Sequence, residues 1–514
     1  MNTEKEIIIN ASEKANKREL DLKEAEEIVS KYPQSHRAHT LLAFVHFQAS
    51  DFEKGLEQIK KSLKYGKSVT AYNLSAQANA KLKNFDQVKD DYLNALDLDA
   101  NDIMTMINYC AFLGEIGSFS ECIKNTKRLT LLRPNDLSLK IKLAMMYNTT
   151  SAFEDLVNYL EVVVKEFPHE YLFQHMLGNA YFQCDRKEEG VKCYNEAIRM
   201  YPESAKSYFN LSHYYYQKED YSKTIKLLKK SMELTPEWIA PYTQMCFVFY
   251  KQNDFSALKE FIFKNESRLN KSVEIAALTE LVAVQEGEKS IHSFCPDPMK
   301  YITEFHIKDY INDHEKFIEK LKEEIDRYEF FDGYARGSGK SQINGVQTAG
   351  NIFVRRGKAI DELRKFFLNA IEDFKKKNNS SHDLIIESFP KKYDLWGWST
   401  KFDKGSGHHF SHLHPSGWVS GAFYLNIPTD IKSHEANIQF DLQGEFPLFN
   451  KKVKLEKKNI IPETGKLLIF PSSLFHSTTP FSSKDSYRHA LNFDLISSDV
   501  FGKDTKDLTK YVTM

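Results

Sequence analysis

The chain lacks the features that would direct it to a membrane or to nucleic acid. Its 514 residues carry a formal net charge of −1, so there is no broad basic field to attract nucleic acid or anionic lipid. No apolar run approaches the ~18 residues that a membrane-spanning helix needs. The run Ile7-Ile8-Ile9 is too short for the apolar core of a signal peptide. We therefore expect a cytoplasmic protein with neither a nucleic-acid nor a membrane partner.

Cysteine is scarce and scattered. No two of the six cysteines are spaced as Cys-x-x-Cys, the arrangement typical of zinc sites and redox motifs. They are Cys110, Cys122, Cys184, Cys193, Cys246 and Cys295. We expect reduced thiols in the core, as is usual in the cytoplasm.

The first half of the chain does have an internal repeat with a period of 34 residues. The step relates a proline, a small residue and an aromatic residue in four successive units: Pro134, Pro168, Pro202 and Pro236; Ala144, Gly178, Ser212 and Cys246; Tyr147, Tyr181, Tyr215 and Phe249. The small residue lets two helices approach closely, the aromatic fills the space beside it, and proline stops the second helix. A helix–turn–helix of this length resembles the tetratricopeptide repeat.

The same step continues towards the start of the chain through Ala100 and Gly66 and, one residue short, to Pro33. We therefore predict about seven repeats over residues 20–272, followed by a capping helix over 273–288. Stacked repeats bury a continuous core and leave a concave groove. The groove predicts a protein or peptide partner, and the alternative is a scaffold or self-association surface.

The repeat phase ends before Phe294-Cys295-Pro296-Asp297-Pro298, which breaks helices and predicts a domain boundary near residue 290. We predict a repeat domain over 1–290 and a second domain over 291–514, with helices over 309–327 and 359–375. The stretch Gly337-Ser338-Gly339-Lys340-Ser341 suggests a phosphate-binding loop. Tyr334 stands where that motif needs its first glycine, and no apolar strand precedes it, so we reject nucleotide binding.

Five short strands are predicted in the last quarter of the chain. They cover residues 393–402, 418–427, 437–442, 466–471 and 487–496. Short strands with turn signals and no helices between them favour an antiparallel sandwich or barrel, and a jelly roll fits.

Two histidines precede the second of these strands. His412 and His414 are two residues apart, so on an extended backbone both side chains lie on one face. His476 follows the strand over 466–471, and Arg488 begins the last strand. Imidazole suits iron, zinc, copper or nickel, and non-haem iron oxygenases use two histidines and a carboxylate. A buried arginine can hold a dicarboxylate such as 2-oxoglutarate through two parallel hydrogen bonds.

The segments around these residues resemble a known family. The run from Trp398 to Leu425 that contains His412-Leu413-His414-Pro415 is similar to the core of 2-oxoglutarate–Fe(II) oxygenases that are fused to tetratricopeptide repeats. Three further segments resemble the same family: Phe470-Pro471 with Phe475-His476, Arg488 to Asp494, and Gln347-Thr348 with Gly350 as a polar loop before the barrel. The resemblance covers residues 294–497. It implies a multidomain protein, in which an N-terminal all-α tetratricopeptide solenoid precedes a double-stranded β-helix (jelly-roll) domain with flanking helices.

The resemblance also implies Fe(II), 2-oxoglutarate as cosubstrate and a hydroxylation-type reaction. We predict His412, His414 and His476 as metal ligands. The predicted catalytic residues are His412, His476 and Arg488, and the predicted cosubstrate-binding residues are Arg488 and Tyr424.

One departure from the wider superfamily concerns the metal shell. The usual first pair is His-x-Asp or His-x-Glu, and here its second member is His414. All three histidines could bind the metal. Alternatively, His412 and His476 bind it, with water or a distant carboxylate completing the shell, or the metal is not iron. Two other functions stay open: an interaction protein with an inactive barrel, and a non-iron cupin-like hydrolase or isomerase.

The remaining histidines of this region are weaker candidates. His408 and His409 lie in a glycine-rich segment and could touch substrate at the rim of the barrel. His489 alternates away from Arg488 on the same strand, so we expect it to be exposed or packed against the scaffold.

Overall fold

A computed structural model describes residues 3–332, 342–354, 357–402, 407–483 and 486–497. The chain divides into two compact units, Met1–Leu139 and Lys140–Met514. Among the described residues, no helix combines the length and apolar character needed to cross a membrane. The glycine-rich stretch over 337–341 lies outside the described residues.

Helices make up the first part of the chain. Their bounds are α1 Glu4–Asn16, α2 Leu22–Lys31, α3 His36–Gln48, α4 Phe52–Tyr65, α5 Val69–Lys81, α6 Phe85–Leu98, α7 Ile103–Glu115, α8 Phe119–Leu132, α9 Leu137–Thr149, α10 Phe153–Glu166, α11 Tyr171–Gln183, α12 Lys187–Met200, α13 Ala205–Gln217, α14 Tyr221–Leu234, α15 Ala240–Lys251, α16 Phe255–Lys264, α17 Glu266–Leu269 and α18 Val273–Glu286. Along the chain, the helices α3 to α16 can be grouped into seven successive helix–turn–helix units, which agrees in number with the predicted repeats. The first of these units begins at His36 rather than near residue 20. The helices α1 and α2 lie before it in the chain. The predicted capping helix is α18.

The small residue of the repeat has the predicted packing role at Gly178. A Cβ atom at this position would lie 2.7 Å from the Tyr194 ring, whose helix α12 packs against α11. Pro134, Pro168, Pro202 and Pro236 each follow the end of a second helix by two residues. The sequence motif therefore corresponds to a close helix contact and a helix stop.

The turn between the two helices of each repeat has a feature that the sequence did not reveal. One residue of every turn has a positive φ, between 55° and 74°. These residues are Ser50, Lys83, Gly117, Ser151, Asp185, Glu219 and Asn253. Only one of the seven is glycine, so a search for glycine at turns would not have found them.

Strands and three α-helices follow in the described residues of the remaining chain. The helices are α19 His314–Ile325, α20 Lys358–Lys377 and α21 Leu384–Glu387. The strands are β1 Thr303–His306, β2 Phe330–Asp332, β3 Gln342–Ile343, β4 Gly345–Thr348, β5 Tyr393–Phe402, β6 His408–His409, β7 Val419–Asn426, β8 Ile438–Asp441, β9 Lys457–Ile460, β10 Lys466–Pro471, β11 Phe475–Thr478 and β12 Arg488–Ser497. The five predicted strands correspond to β5, β7, β8, β10 and β12. The two long predicted helices correspond to α19 and α20.

The strands form antiparallel sheets. A seven-stranded sheet has the order β1-β10-β7-β12-β5-β4-β2, a three-stranded sheet has the order β11-β8-β9, and β3 pairs with β6. Gln347 and Thr348 were expected in a polar loop. They instead lie on β4, where Gln347 pairs with Thr400 of β5, and only Gly350 follows the strand.

Side chains of the seven-stranded sheet point alternately to its two faces, and both faces are buried. One face packs on α19 and α20 through a core that includes Phe366, Phe423 and Phe493. The other face shares a core with the three-stranded sheet, which joins Tyr424 and Phe470 to residues of β8 and β9. A β-sheet region with flanking helices is therefore observed, and the jelly-roll connectivity stays a prediction.

The second unit also joins its last repeats to the β-sheet region. The segment 443–456 connects β8 to β9 and packs on α15 and α18, with Phe446 against Tyr250 at 5.2 Å between ring centroids. The Tyr250 hydroxyl donates to the Pro447 carbonyl at 2.7 Å, and the Phe449 amide donates to Gln285 Oε1 at 2.8 Å. The predicted boundary near residue 290 lies between α18 and β1 in the chain and stays a prediction.

Candidate metal centre

Backbone hydrogen bonds place three histidines side by side. The His412 and His476 backbones exchange two hydrogen bonds, of 3.0 and 2.9 Å. The His414 amide donates to the Ser472 carbonyl at 3.1 Å, in the turn that precedes β11. One nitrogen from each of the three imidazoles lies within 4.8 Å of the others. The structure thus brings together the three residues that the sequence singled out as metal ligands.

Each imidazole uses its Nδ1 atom for a hydrogen bond to an oxygen. His412 Nδ1 lies 2.7 Å from the Phe410 carbonyl, His476 Nδ1 lies 3.2 Å from the Leu474 carbonyl, and His414 Nδ1 lies 2.5 Å from a carboxylate. A carbonyl or carboxylate oxygen can only accept, so Nδ1 carries the proton in all three rings. This tautomer leaves the Nε2 lone pair of each ring free to bind a metal.

Burial keeps two of these rings neutral. Desolvation, followed by the nearby His414, lowers the pKa of His412 to about 4. Desolvation, followed by His412 and His414, lowers the pKa of His476 well below its ordinary value. Metal binding requires an unprotonated imidazole. These two rings are therefore available as neutral ligands at neutral pH.

The carboxylate behind His414 belongs to Asp494, a residue that the sequence analysis had not singled out. Asp494 Oδ1 also accepts a hydrogen bond of 2.7 Å from the Ser420 hydroxyl, which in turn lies 2.7 Å from the Ser472 hydroxyl. Asp494 is paired with Ser420 across β12 and β7. The sequence offered one indication of Asp494: it lies six residues after Arg488, so both side chains lie on one face of the same strand.

Arg488 is buried at the start of β12 without an acidic partner in the described part of the chain. Its guanidinium lies 5.5 Å from the Tyr424 ring and 5.6 Å from the Phe402 ring. Burial lowers the pKa of Arg488 and raises the pKa of Tyr424. Arginine nevertheless remains charged at physiological pH, and Tyr424 keeps its proton. Arg488 Nε and the Tyr424 hydroxyl have no hydrogen-bond partner among the described residues, so the pair could receive an anion.

Aromatic groups surround the histidines on two sides. Phe470 packs on His476 with ring centroids 4.8 Å apart, and Phe440 packs on it at 6.1 Å. On the other side, the partly exposed Trp398 lies 5.5 Å from the His414 ring. The centre therefore has an apolar wall towards the core and an aromatic group towards solvent.

The other histidines of the region divide into two groups. His408 and His409 form the short strand β6 rather than a loop, and the His409 ring lies 5.5 Å from that of His412. His489 is fully buried and bonds to the Ser399 hydroxyl at 2.6 Å, which confirms that it packs against the scaffold. Trp418 is likewise scaffold, because its indole N–H donates to the Ile385 carbonyl.

Comparisons with known proteins identify two regions of the chain. Residues 396–494 match the family described as “Putative 2OG-Fe(II) oxygenase”, a span that contains the three histidines and Arg488. Residues 173–204 and 205–237 match the tetratricopeptide repeat. No curated protein sequence matches the chain.

Two solved structures illustrate the likeness of the repeats. The C-terminal part of a TPR repeat-containing protein from Cytophaga hutchinsonii is 14% identical, with a TM-score of 0.37, and the match covers 45% of this chain and 95% of that one. A MamA fragment from Desulfovibrio magneticus RS-1 is 20% identical, with a TM-score of 0.28, and the match covers 33% of this chain and 96% of that one.

Proposed function

We propose that the chain is a 2-oxoglutarate- and Fe(II)-dependent dioxygenase whose repeats bind a protein or peptide partner. The observation that carries the proposal is the cluster of His412, His414 and His476, whose ligand atoms lie within 4.8 Å of one another. The match of residues 396–494 to the oxygenase family supports it. The catalytic residues would be His412, His476 and Arg488 in a jelly-roll domain over 291–514.

The donor set fits Fe(II). His412, His414 and His476 would offer three Nε2 atoms on one side of the ion and leave positions for cosubstrate and dioxygen. The backbone carbonyls of Phe410 and Leu474 fix two of the rings in the required tautomer. Bound Fe(II) and 2-oxoglutarate supply dioxygen activation for the oxidation of a substrate C–H bond, with conversion of the cosubstrate to succinate and carbon dioxide.

Arg488 and Tyr424 would hold 2-oxoglutarate. A buried guanidinium without a carboxylate partner attracts an anion strongly, because little water screens the charge. The planar guanidinium matches a carboxylate through two parallel hydrogen bonds. The Tyr424 hydroxyl has no partner among the described residues and would donate a third hydrogen bond to the same group. These residues would orient the keto acid towards the histidines.

The repeats of the 1–290 domain would bring a partner or protein substrate to this centre. Tetratricopeptide arrays present extended surfaces that suit peptides and proteins. The chain would act in the cytoplasm, where reduced cysteines are the norm, and its six cysteines are free thiols in the structure.

A second candidate function follows from the residue at position 414. Three histidines without a carboxylate ligand are also the donor set of a catalytic zinc ion. A cupin-like barrel that holds zinc, or an inactive platform that serves the repeats, would use the same side chains without dioxygen. This reading predicts zinc in the purified protein and no succinate.

The discriminating experiment is an anaerobic titration of the full chain with Fe(II) and 2-oxoglutarate, followed by ultraviolet–visible spectroscopy. A weak charge-transfer band in the visible range is expected when the keto acid chelates iron at such a site. Metal analysis and succinate detection in air complete the test. Absence of the band together with tightly bound zinc would overturn the proposal in favour of the zinc-holding barrel.

A further inference from the structure

The three imidazoles differ in what supports them. The Nδ1 atoms of His412 and His476 donate to backbone carbonyls, which are neutral. The Nδ1 atom of His414 donates to the Asp494 carboxylate. One of the three candidate ligands is therefore coupled to a full negative charge, and it occupies the position at which related sites carry an acid.

Asp494 is a buried carboxylate, so the compensation of its negative charge needs an explanation. Its exposure is 5%, and it lies on β12 between Ser420 of β7 and Trp396 of β5. In the described part of the chain its one potentially cationic partner is His414. A buried carboxylate without a fixed positive charge destabilises a fold by several kcal/mol. The carboxylate is compensated if a cation binds on the far side of the His414 ring.

The surrounding residues hold the carboxylate in one orientation. Ser420 gives its proton to Asp494, so the 2.7 Å contact between Ser420 and Ser472 must have Ser472 as donor. Gly417 makes room for this chain of hydrogen bonds. A Cβ atom there would lie 2.3 Å from the Ser472 hydroxyl oxygen and 3.3 Å from the Asp494 carboxyl carbon. Sequence and fold thus maintain a close-packed polar cluster behind one histidine.

We propose that Asp494 is the positioning residue of the metal centre and supplies, through His414, the negative charge that a directly bound carboxylate would otherwise supply. This inference rests on the proposed function, because it assumes that the three histidines bind a divalent ion. The carboxylate makes the His414 imidazole a more basic ligand and fixes its ring orientation. Three neutral ligands would leave both charges of the ion without compensation, and Asp494 offsets one of them.

The test compares Co(II) binding by the full-length wild type and by Asp494→Asn, with a competing chelator under anaerobic conditions. Asparagine keeps the size of the side chain and one acceptor oxygen but removes the charge. We expect Asp494→Asn to weaken Co(II) binding about 10–100-fold and to alter the visible absorption of the bound ion. Asn492→Ala is the matched control. It lies on the same face of β12, bonds to Thr400, and should leave the affinity unchanged.

The outcomes separate the inference from the function on which it rests. A wild type that binds neither Co(II) nor Fe(II) overturns the proposed function and the inference together. A wild type that binds the ion while Asp494→Asn binds it equally well overturns the inference alone. Weaker binding by Asp494→Asn with a native circular dichroism spectrum, and normal binding by Asn492→Ala, supports it.

A measurement on the wild type covers the case in which Asp494→Asn does not fold. Protons on ligand rings bound to Co(II) give strongly shifted, exchangeable resonances in the proton spectrum. Nδ1 protonation of all three rings, as their oxygen partners require, predicts one such resonance from each of His412, His414 and His476. The His414 resonance is the one that disappears in His414→Gln. If the wild type shows no such resonance, Asp494 does not support a bound ligand.

Discussion

The guanidinium of Arg488 lies 5.5 Å from the ring of Tyr424, and each side chain has a buried polar atom without a hydrogen-bond partner among the described residues. Native proteins seldom leave such atoms unsatisfied, since each one costs about 1–3 kcal/mol. Under the proposed function, both atoms would donate to oxygens of the cosubstrate. The pair therefore supports the following prediction about the cosubstrate.

Replacement of Arg488 should weaken 2-oxoglutarate binding more than it weakens metal binding. Loss of a charged hydrogen-bond pair in a buried site costs about 2–5 kcal/mol, so Arg488→Ala should raise the apparent KM for 2-oxoglutarate at least tenfold. Arg488→Lys should recover part of the loss, because lysine keeps the charge but not the planar fork. Steady-state succinate formation measures both variants. An unchanged KM in Arg488→Ala would exclude this role.

Loss of one candidate ligand should abolish turnover. His476 is buried and contacts both other imidazoles, so His476→Ala removes one of three candidate ligands and leaves a gap beside Phe470. We expect no detectable succinate and a large loss of bound Fe(II), measured by metal analysis after desalting. His434→Ala is the control, since this exposed histidine takes no part in the centre. Full turnover by His476→Ala would contradict the site assignment.

A side chain at Gly178 should destabilise the repeats. The added Cβ of Gly178→Ala would come within 2.7 Å of the Tyr194 ring, and overpacking of this kind typically costs about 1–3 kcal/mol. Urea unfolding followed by circular dichroism measures the effect. Ser212→Ala is the matched control, because Ser212 occupies the same repeat position and already has a Cβ atom. Equal stability of the two variants would argue against a close helix contact at Gly178.

Acid should weaken the repeats through His175. Burial lowers the pKa of His175 to about 4, below the ordinary value of about 6.5, so the unfolded state binds more protons between these values. Stability is therefore fully present above pH 6.5 and falls as the pH drops towards 4. His175→Gln should reduce this dependence in urea unfolding at pH 7 and pH 5. The exposed His169→Gln should keep the wild-type dependence, and an unchanged dependence in His175→Gln would refute the assignment.

The sequence predicted the long elements well, for physical reasons that are easy to identify. The strands over 393–402 and 466–471 have the predicted bounds, because alternation and apolar runs persist over six to ten residues. Strands such as β3 and β6 have two residues each, which is too few for any periodicity to be detected. Long elements can be recognised locally, whereas short strands depend on their partners.

The candidate site shows the same division. His412, His414, His476 and Arg488 could be proposed from the sequence because their spacing relative to strands is a local property. Asp494 was missed because its contacts depend on the register between β12 and β7, which brings it beside Ser420 and His414. No local pattern encodes such a register. A residue whose role depends on contacts across strands is therefore harder to predict from sequence than a candidate ligand.

The packing of the segment 443–456 on the last repeat helices bears on how the protein can be dissected. A fragment that starts at residue 291 would leave Phe446, Leu448 and Leu455 without the apolar cluster of α15, α16 and α18 on which they pack. Newly exposed apolar area of this kind promotes aggregation. A shortened chain would need to keep the helices from α15 onwards, because the last helices before the β-sheet region cover the apolar side chains of segment 443–456.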